Sequence, residues 1–222
     1  ETISAILRRL FFLMSKNFVI LAHARSGSTT LNSIFLSQGI KTISEPFNSH
    51  TTVEYLDFWG KNGFEEALDL IFSKYQGIKH IFDSATHEQN LIIKKKCKTL
   101  FLYRSNILDA AFSVVLAIKS NVWVECQKYG DYEKEKFYLS PDRVLMYFNH
   151  IKKHRCYLDD DCFSISYEDL FYGENQKKLI YDIFDYLGRK IVDYSLIEEF
   201  LDKSHKINKR KWSDVISNHD EI

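Results

Sequence analysis

The 222-residue sequence predicts a single α/β domain over residues 1–222, built as three layers with helices on both faces of a central parallel sheet. Two observations carry that expectation. Short strand-like segments at 18–22, 40–43, 78–82, 99–103 and 162–166 alternate with longer segments whose apolar residues recur at i, i+3 and i+4. The run at 99–103 is apolar nearly throughout, as suits a strand covered on both faces.

The elements follow in order. The run at 18–22 is the first strand, and a small polar loop succeeds it. Segment 29–38 places Leu31, Ile34 and Phe35 on one helical face, with Gly39 as its stop. After a strand at 40–43, segment 64–75 is helical through Leu68, Ile71 and Phe72, and Gly77 lies beyond its end. Strands at 78–82 and 99–103 come next. Segment 106–120 is a helix with the apolar stripe Ile107, Ala111, Val114, Val115 and Ile118. Ser140 and Pro141 supply an N-cap and a first-turn residue for a helix running toward Cys156. The fifth strand is 162–166, and a helix over 174–187 ends at Gly188. Segment 119–139 is polar, lacks clear periodicity and carries Trp123, Tyr129, Tyr132 and Tyr138. It reads equally as a loop that sets specificity or as an amphipathic surface helix. Segment 5–14 is apolar but broken by Arg8 and Arg9, which favours an amphipathic helix packed on the domain over a signal anchor.

Composition narrows the function. Thirty basic side chains balance thirty acidic ones, so the chain lacks the positive excess of a general nucleic-acid binder. At 45% hydrophobic and 15% aromatic content it can bury a core. No run reaches the roughly 20 apolar residues of a membrane span. Cys97, Cys126, Cys156 and Cys162 form no Cys-x-x-Cys pair, which points to free thiols and a cytoplasmic setting rather than a zinc ribbon. No His/Glu spacing of the H-E-x-x-H kind suggests a metal centre.

The sharpest local feature is Arg25-Ser26-Gly27-Ser28-Thr29-Thr30, between an apolar strand and a helix start. Gly27 permits a tight turn in which successive N–H groups face one concavity. The helix N-terminus adds partial positive charge, the hydroxyls add donors and Arg25 adds a permanent cation. Together they form a phosphate cradle. The P-loop pattern G-x-x-x-x-G-K-[ST] is not met, because its Lys is missing and Arg25 precedes the glycine.

Residues 22–31, Ala-His-Ala-Arg-Ser-Gly-Ser-Thr-Thr-Leu, resemble the 5′-phosphosulfate loop of sulfotransferases that use 3′-phosphoadenosine 5′-phosphosulfate (PAPS). Four further stretches resemble the same family in the same order. They are Glu45-Pro46-Phe47, the strand–Arg104–helix–Ser113 segment at 101–113, Ser166-Tyr167-Glu168-Asp169-Leu170, and the closing stretches 208–213 and 218–222. The resemblance implies a P-loop NTPase-like sulfotransferase fold that grips PAPS without a metal and releases adenosine 3′,5′-bisphosphate. It implies that Arg25, Ser26, Gly27, Ser28, Thr29 and Thr30 hold the 5′ end and that Arg104 and Ser113 hold the 3′-phosphate. Lys209, Arg210 and Lys211 would complete the cage from the C-terminal segment, with Trp212 either stacked near the nucleotide or anchoring that segment. Glu45 is then the general base, with an acceptor hydroxyl on a carbohydrate or glycolipid.

The residue chemistry agrees with these roles. Arg104 ends a strand, where α/β sheets place ligands, and a guanidinium grips a phosphate bidentately. A carboxylate within reach of a hydroxyl can take its proton as it attacks sulfur. Pro46 favours an extended backbone at Glu45, which would project the side chain into a cleft. His23, His50, His80 and His87 are rival bases. Two other readings stay open: an ATP-dependent phosphotransferase of the P-loop class and a non-catalytic nucleotide-binding module. Oligomeric state is open as well.

Overall fold

The computed structural model describes residues 17–48, 53–123, 136–159, 161–202 and 211–222. The expected helix at 5–14 and most of segment 119–139 lie outside them. The sheet has five strands: β1 (Phe18–Ala22), β2 (Thr42–Ser44), β3 (Gly77–Ile81), β4 (Lys98–Tyr103) and β5 (Cys162–Ser166). Their order is β2-β3-β1-β4-β5, and every pairing is parallel. β1 is the middle strand, with Ile20 opposite Lys79 on one side and Leu100 on the other.

Both faces of the sheet are covered, as the apolar run of β4 requires. On one face Phe18, Ile20, Leu100 and Ile165 meet Leu31 and Phe35 of α1 (Ser28–Ser37), Ile183 and Phe184 of α8 (Gln176–Leu187), and Ile197 of α9 (Tyr194–Leu201). On the other face Val19, Leu21, Ile78 and Phe101 meet Leu68 and Ile71 of α3 (Phe64–Lys74) and Ile93 of α4 (His87–Lys96). Burying each such side chain contributes about 1.5–3 kcal/mol. β3 and β1 approach so closely that a Cβ on Gly77 would lie 2.3 Å from the Phe18 ring. A third apolar cluster joins α5 (Ile107–Ser120) and α6 (Pro141–His154) to the C-terminal segment, through Ala111, Val115, Val144, Val215 and Ile216.

The three-layer class and all five strands agree with the sequence expectation, β5 to the residue. β2 is displaced, to Thr42–Ser44 rather than 40–43, because Lys41 is taken up by Gln76: its N–H is bound by the Gln76 side chain and its carbonyl by the Gln76 N–H. α8 ends at Gly188 in the left-handed conformation, as expected. Helices that the periodicity did not reveal are α2 (Val53–Asn62), α4, α7 (Tyr167–Tyr172), α9 and the short α10 (Trp212–Val215).

Because all strands are parallel, their C-terminal ends share one edge. From β1 the chain leaves toward β2 at one side of the sheet, and from β4 it leaves toward β5 at the other. β1 and β4 are neighbours whose connections diverge, which opens a crevice above them. Arg25 follows β1 and Arg104 follows β4.

Candidate active site

The loop after β1 turns through two left-handed residues, Arg25 (φ 65°) and Gly27 (φ 85°). Gly27 is needed for a second reason. A Cβ there would lie 2.5 Å from Phe171 and 3.0 Å from Tyr167, both on α7. Ser26 is fully buried and its hydroxyl donates to the His23 carbonyl at 2.8 Å, so it shapes the loop. α1 begins at Ser28 and has no acidic residue in its first turn. Its first N–H groups have no intrahelical acceptor, which leaves donors for an anion. Ser28 is buried, Thr30 half-buried and Thr29 exposed at the mouth.

Arg25 reaches across the crevice. Its Nε donates to Ser113 Oγ on α5 at 3.3 Å, and its Nη1 donates to the Trp123 carbonyl. The loop residue expected at the 5′ end and the helix residue expected at the 3′-phosphate are therefore in contact. Arg104 stands at the end of β4 with its guanidinium 4.5 Å above the Tyr167 ring. Its side chain is buried; Nε has no hydrogen-bond partner, and the Glu168 carboxylate is 3.8 Å away. Glu168 is instead bound at 2.8 Å by the Ser105 N–H. α5 starts from an Asn106 cap whose side chain accepts the Asp109 N–H, which fixes the helix relative to Arg104.

The C-terminal segment docks on this helix. Trp212 Nε1 donates to Asp109 Oδ1 at 2.9 Å, and its ring packs on Phe112. Asp109 precedes Ser113 by one helical turn. Phe137 bridges Ile216, and Asn218 pairs with the backbone of Leu139. Trp212 thus anchors the segment. Lys209 and Arg210 lie outside the described residues, and Lys211 is exposed.

Glu45 follows β2. Its backbone is left-handed (φ 49°), not extended as Pro46 suggested. The Glu45 N–H donates to the Lys79 carbonyl at 2.7 Å, continuing the β2–β3 ladder, and its carbonyl takes the Asn48 N–H in a turn. Those bonds outweigh the local preference of a residue before proline. The side chain accepts from Lys79 Nζ at 2.5 Å and from Asn48 Nδ2 at 2.7 Å. Burial raises the Glu45 pKa, but the Lys79 charge and these hydrogen bonds more than reverse it, leaving the carboxyl below its ordinary value.

Two of the rival histidines are held neutral. His23 hydrogen-bonds the Ala24 carbonyl through Nδ1, and its Nε2 accepts the Arg104 N–H at 3.4 Å. It ties the end of β1 to the end of β4. His80 is fully buried and bonds Asn90 through Nε2. Burial pulls both down to about 4. Below about pH 6.5 the unfolded chain binds protons that these folded histidines refuse, so stability is full above that pH and falls as pH drops toward 4. Each loses on the order of 2 kcal/mol by pH 5. Thermal melts at pH 7 and pH 5 are expected to differ by several degrees, and replacing His80 by Gln should shrink the difference. His87 bonds the Tyr157 hydroxyl at 2.7 Å. His50 lies outside the described residues.

Several residues of the site have no role that the sequence alone assigns. Tyr167, Glu168 and Phe171 roof the loop and flank Arg104. They lie in or beside the stretch 166–170, whose sequence carries a family likeness but no chemical role of its own. Lys79 pairs with Glu45, and its signal was a charge inside an apolar run. Asp83, His150 and His154 gather at the same sheet edge, with ligand atoms all within 4.8 Å of one another. The legible sign was His-x-x-x-His at 150–154, a spacing that puts both rings on one helix face.

The family model described as "Sulfotransferase domain" matches residues 15–218. The chain belongs to the sulfotransferase domain family. No curated protein matches this sulfotransferase domain. Twenty-three chains of solved structures do. One is mouse sulfotransferase SULT7A1 complexed with PAP, at 14% identity and a TM-score of 0.46, over 86% of this chain. The sulfotransferase domain described here spans 66% of the length of that solved chain. Among the described residues, no helix is long and apolar enough to cross a membrane.

Proposed function

We propose that the chain transfers a sulfuryl group from PAPS to a hydroxyl acceptor on a carbohydrate or glycolipid, releasing adenosine 3′,5′-bisphosphate. The observation that carries this reading is the convergence of Arg25, Ser113 and Arg104 over the β1–β4 crevice, in a domain of the sulfotransferase family. The residues fit such a donor. The left-handed turn at Gly27 into an α1 N-terminus free of acidic residues suits a backbone-bound phosphosulfate, and a buried Arg104 whose Nε lacks an acceptor suits a phosphate.

In the reaction the acceptor oxygen bonds to sulfur as the bond from sulfur to the bridging phosphate oxygen breaks. Arg25 and the N-terminal amides of α1 stabilise charge growing on that phosphate. Arg104 and Ser113 hold the 3′-phosphate, Trp212 anchors the C-terminal segment on α5, and Lys209 and Arg210 are the cations that this reading adds to the donor site. Glu45 takes the acceptor proton. Its pairing with Lys79 keeps it ionised and fixes its position. The carbohydrate class rests on the Glu45-Pro46-Phe47 likeness, and the cytoplasmic setting on the thiols, of which Cys97, Cys156 and Cys162 are free.

The test is a thermal melt with and without adenosine 3′,5′-bisphosphate, followed by labelled PAPS offered with a panel of saccharides. Stabilisation growing with the logarithm of bisphosphate concentration, and label in a saccharide, are the expected results. Magnesium-dependent stabilisation by ATP with indifference to the bisphosphate would replace this reading with a phosphotransferase.

A further inference from the structure

Asp83 lies in a 3₁₀ turn (Phe82–Ser84) immediately after β3, on the sheet edge that carries Arg25, Glu45 and Arg104. Facing it from α6 are His150 and His154, one helical turn apart. His150 Nε2 is 2.5 Å and His154 Nε2 is 3.5 Å from the same oxygen, Asp83 Oδ1. Two imidazoles and a carboxylate are a ligand set that first-row transition ions prefer over calcium or magnesium. We propose that Asp83, His150 and His154 form a three-ligand site for a divalent transition ion of the zinc class.

Two observations support the assignment beyond proximity. His154 is 8% exposed, and Nε2 is the ring nitrogen that it turns toward Asp83. Its Nε2, at 3.5 Å from the carboxylate, sits at the outer limit of a hydrogen bond. A buried Nε2 with only this long contact is costly unless something else takes its lone pair. Second, His154 is rigid: its ring stacks on Phe82 with centroids 4.5 Å apart and planes at 22°.

The spacing fits. Ligand atoms about 2.0–2.1 Å from a tetrahedral ion lie roughly 3.4 Å apart. The His154–Asp83 separation already has that value. The His150–Asp83 contact must open by about 1 Å. Both of those side chains are nearly half exposed and can turn. Three protein ligands leave a fourth position for water or an acceptor oxygen. The groups around the site are Lys153 on α6, His23 and His80, of which the last two are neutral at pH 7. This site does not depend on the donor reading, because it is tested with metal alone.

The experiment titrates Zn²⁺ into the chelator-treated full chain by calorimetry, with Co²⁺ absorption as a second readout. One ion per chain is expected, with the intense visible bands of four-coordinate cobalt and a rise in melting temperature. His150→Ala and Asp83→Asn change exposed side chains and should fold, as circular dichroism would show. Each should weaken Zn²⁺ binding by roughly 100-fold or more, whereas Cys156→Ser should leave it unchanged. Absence of saturable binding overturns the proposal. So does unchanged affinity in both ligand variants, or loss of binding in Cys156→Ser.

Discussion

Arg104→Ala is expected to abolish stabilisation by adenosine 3′,5′-bisphosphate while leaving a folded chain. The guanidinium is almost fully removed from water and has Tyr167 on one face. Truncating a buried cation that binds a phosphate costs about 2–5 kcal/mol, so affinity should fall by a factor of about 30 to several thousand. The fold should tolerate the change because Glu168 keeps its bond from the Ser105 N–H and is not stranded. Calorimetric titration of the bisphosphate into wild type and variant measures the loss. An unchanged dissociation constant would make Arg104 a strand-end partner of Glu168 and nothing more. Arg104→Lys should recover only part of the affinity, since an ammonium cannot form the two-pronged contact.

Glu45→Gln is expected to retain donor binding and to lose turnover by about 10²–10⁴-fold, the usual contribution of a positioned general base. The substitution has a structural side effect. The Lys79 side chain is only 6% exposed, and without the carboxylate its ammonium is buried beside a neutral amide. Removing one partner of such a pair destabilises by about 3–5 kcal/mol. The melting temperature should therefore drop together with kcat, and the assay belongs well below the variant's midpoint. The double variant Lys79→Met/Glu45→Gln separates the effects: it should regain stability and stay inactive. In wild type, turnover should rise with pH through a midpoint below the ordinary carboxylate range and then level off, because Lys79 and Asn48 hold Glu45 ionised. Full turnover in Glu45→Gln would pass the role of base to another group.

The fold was legible where a single element decides its own structure. β4 needed only its apolar run, α8 its periodicity and Gly188, and α5 its apolar stripe. α4 was missed because it buries Asn90 and Lys94 beside Ile93, so its inner face does not read as apolar. Its capping box from Thr86 to Gln89 was the signal that remained. α7 has six residues, too few for a period to show. The site divides in the same way. Arg25, Gly27 and Arg104 announce themselves through their place at strand ends. The left-handed turn at Glu45 and its pairing with Lys79 depend on the β2–β3 register, and the Asp83 cluster depends on where α6 comes to lie. Neither is written in the residues' own neighbourhoods.

The contact between Gly27 and α7 bears on how the molecule is made. The loop after β1 takes its final shape against Phe171 and Tyr167, encoded some 140 residues later. β1 likewise emerges first yet waits for β3 and then β4 before both its edges are filled. Such distant pairings fold slowly, because chain entropy is spent before the contacts that repay it. During synthesis the middle strand stays open to wrong partners until most of the domain has left the ribosome, and competence to hold a nucleotide arrives among the last events of folding rather than with the segment that bears it.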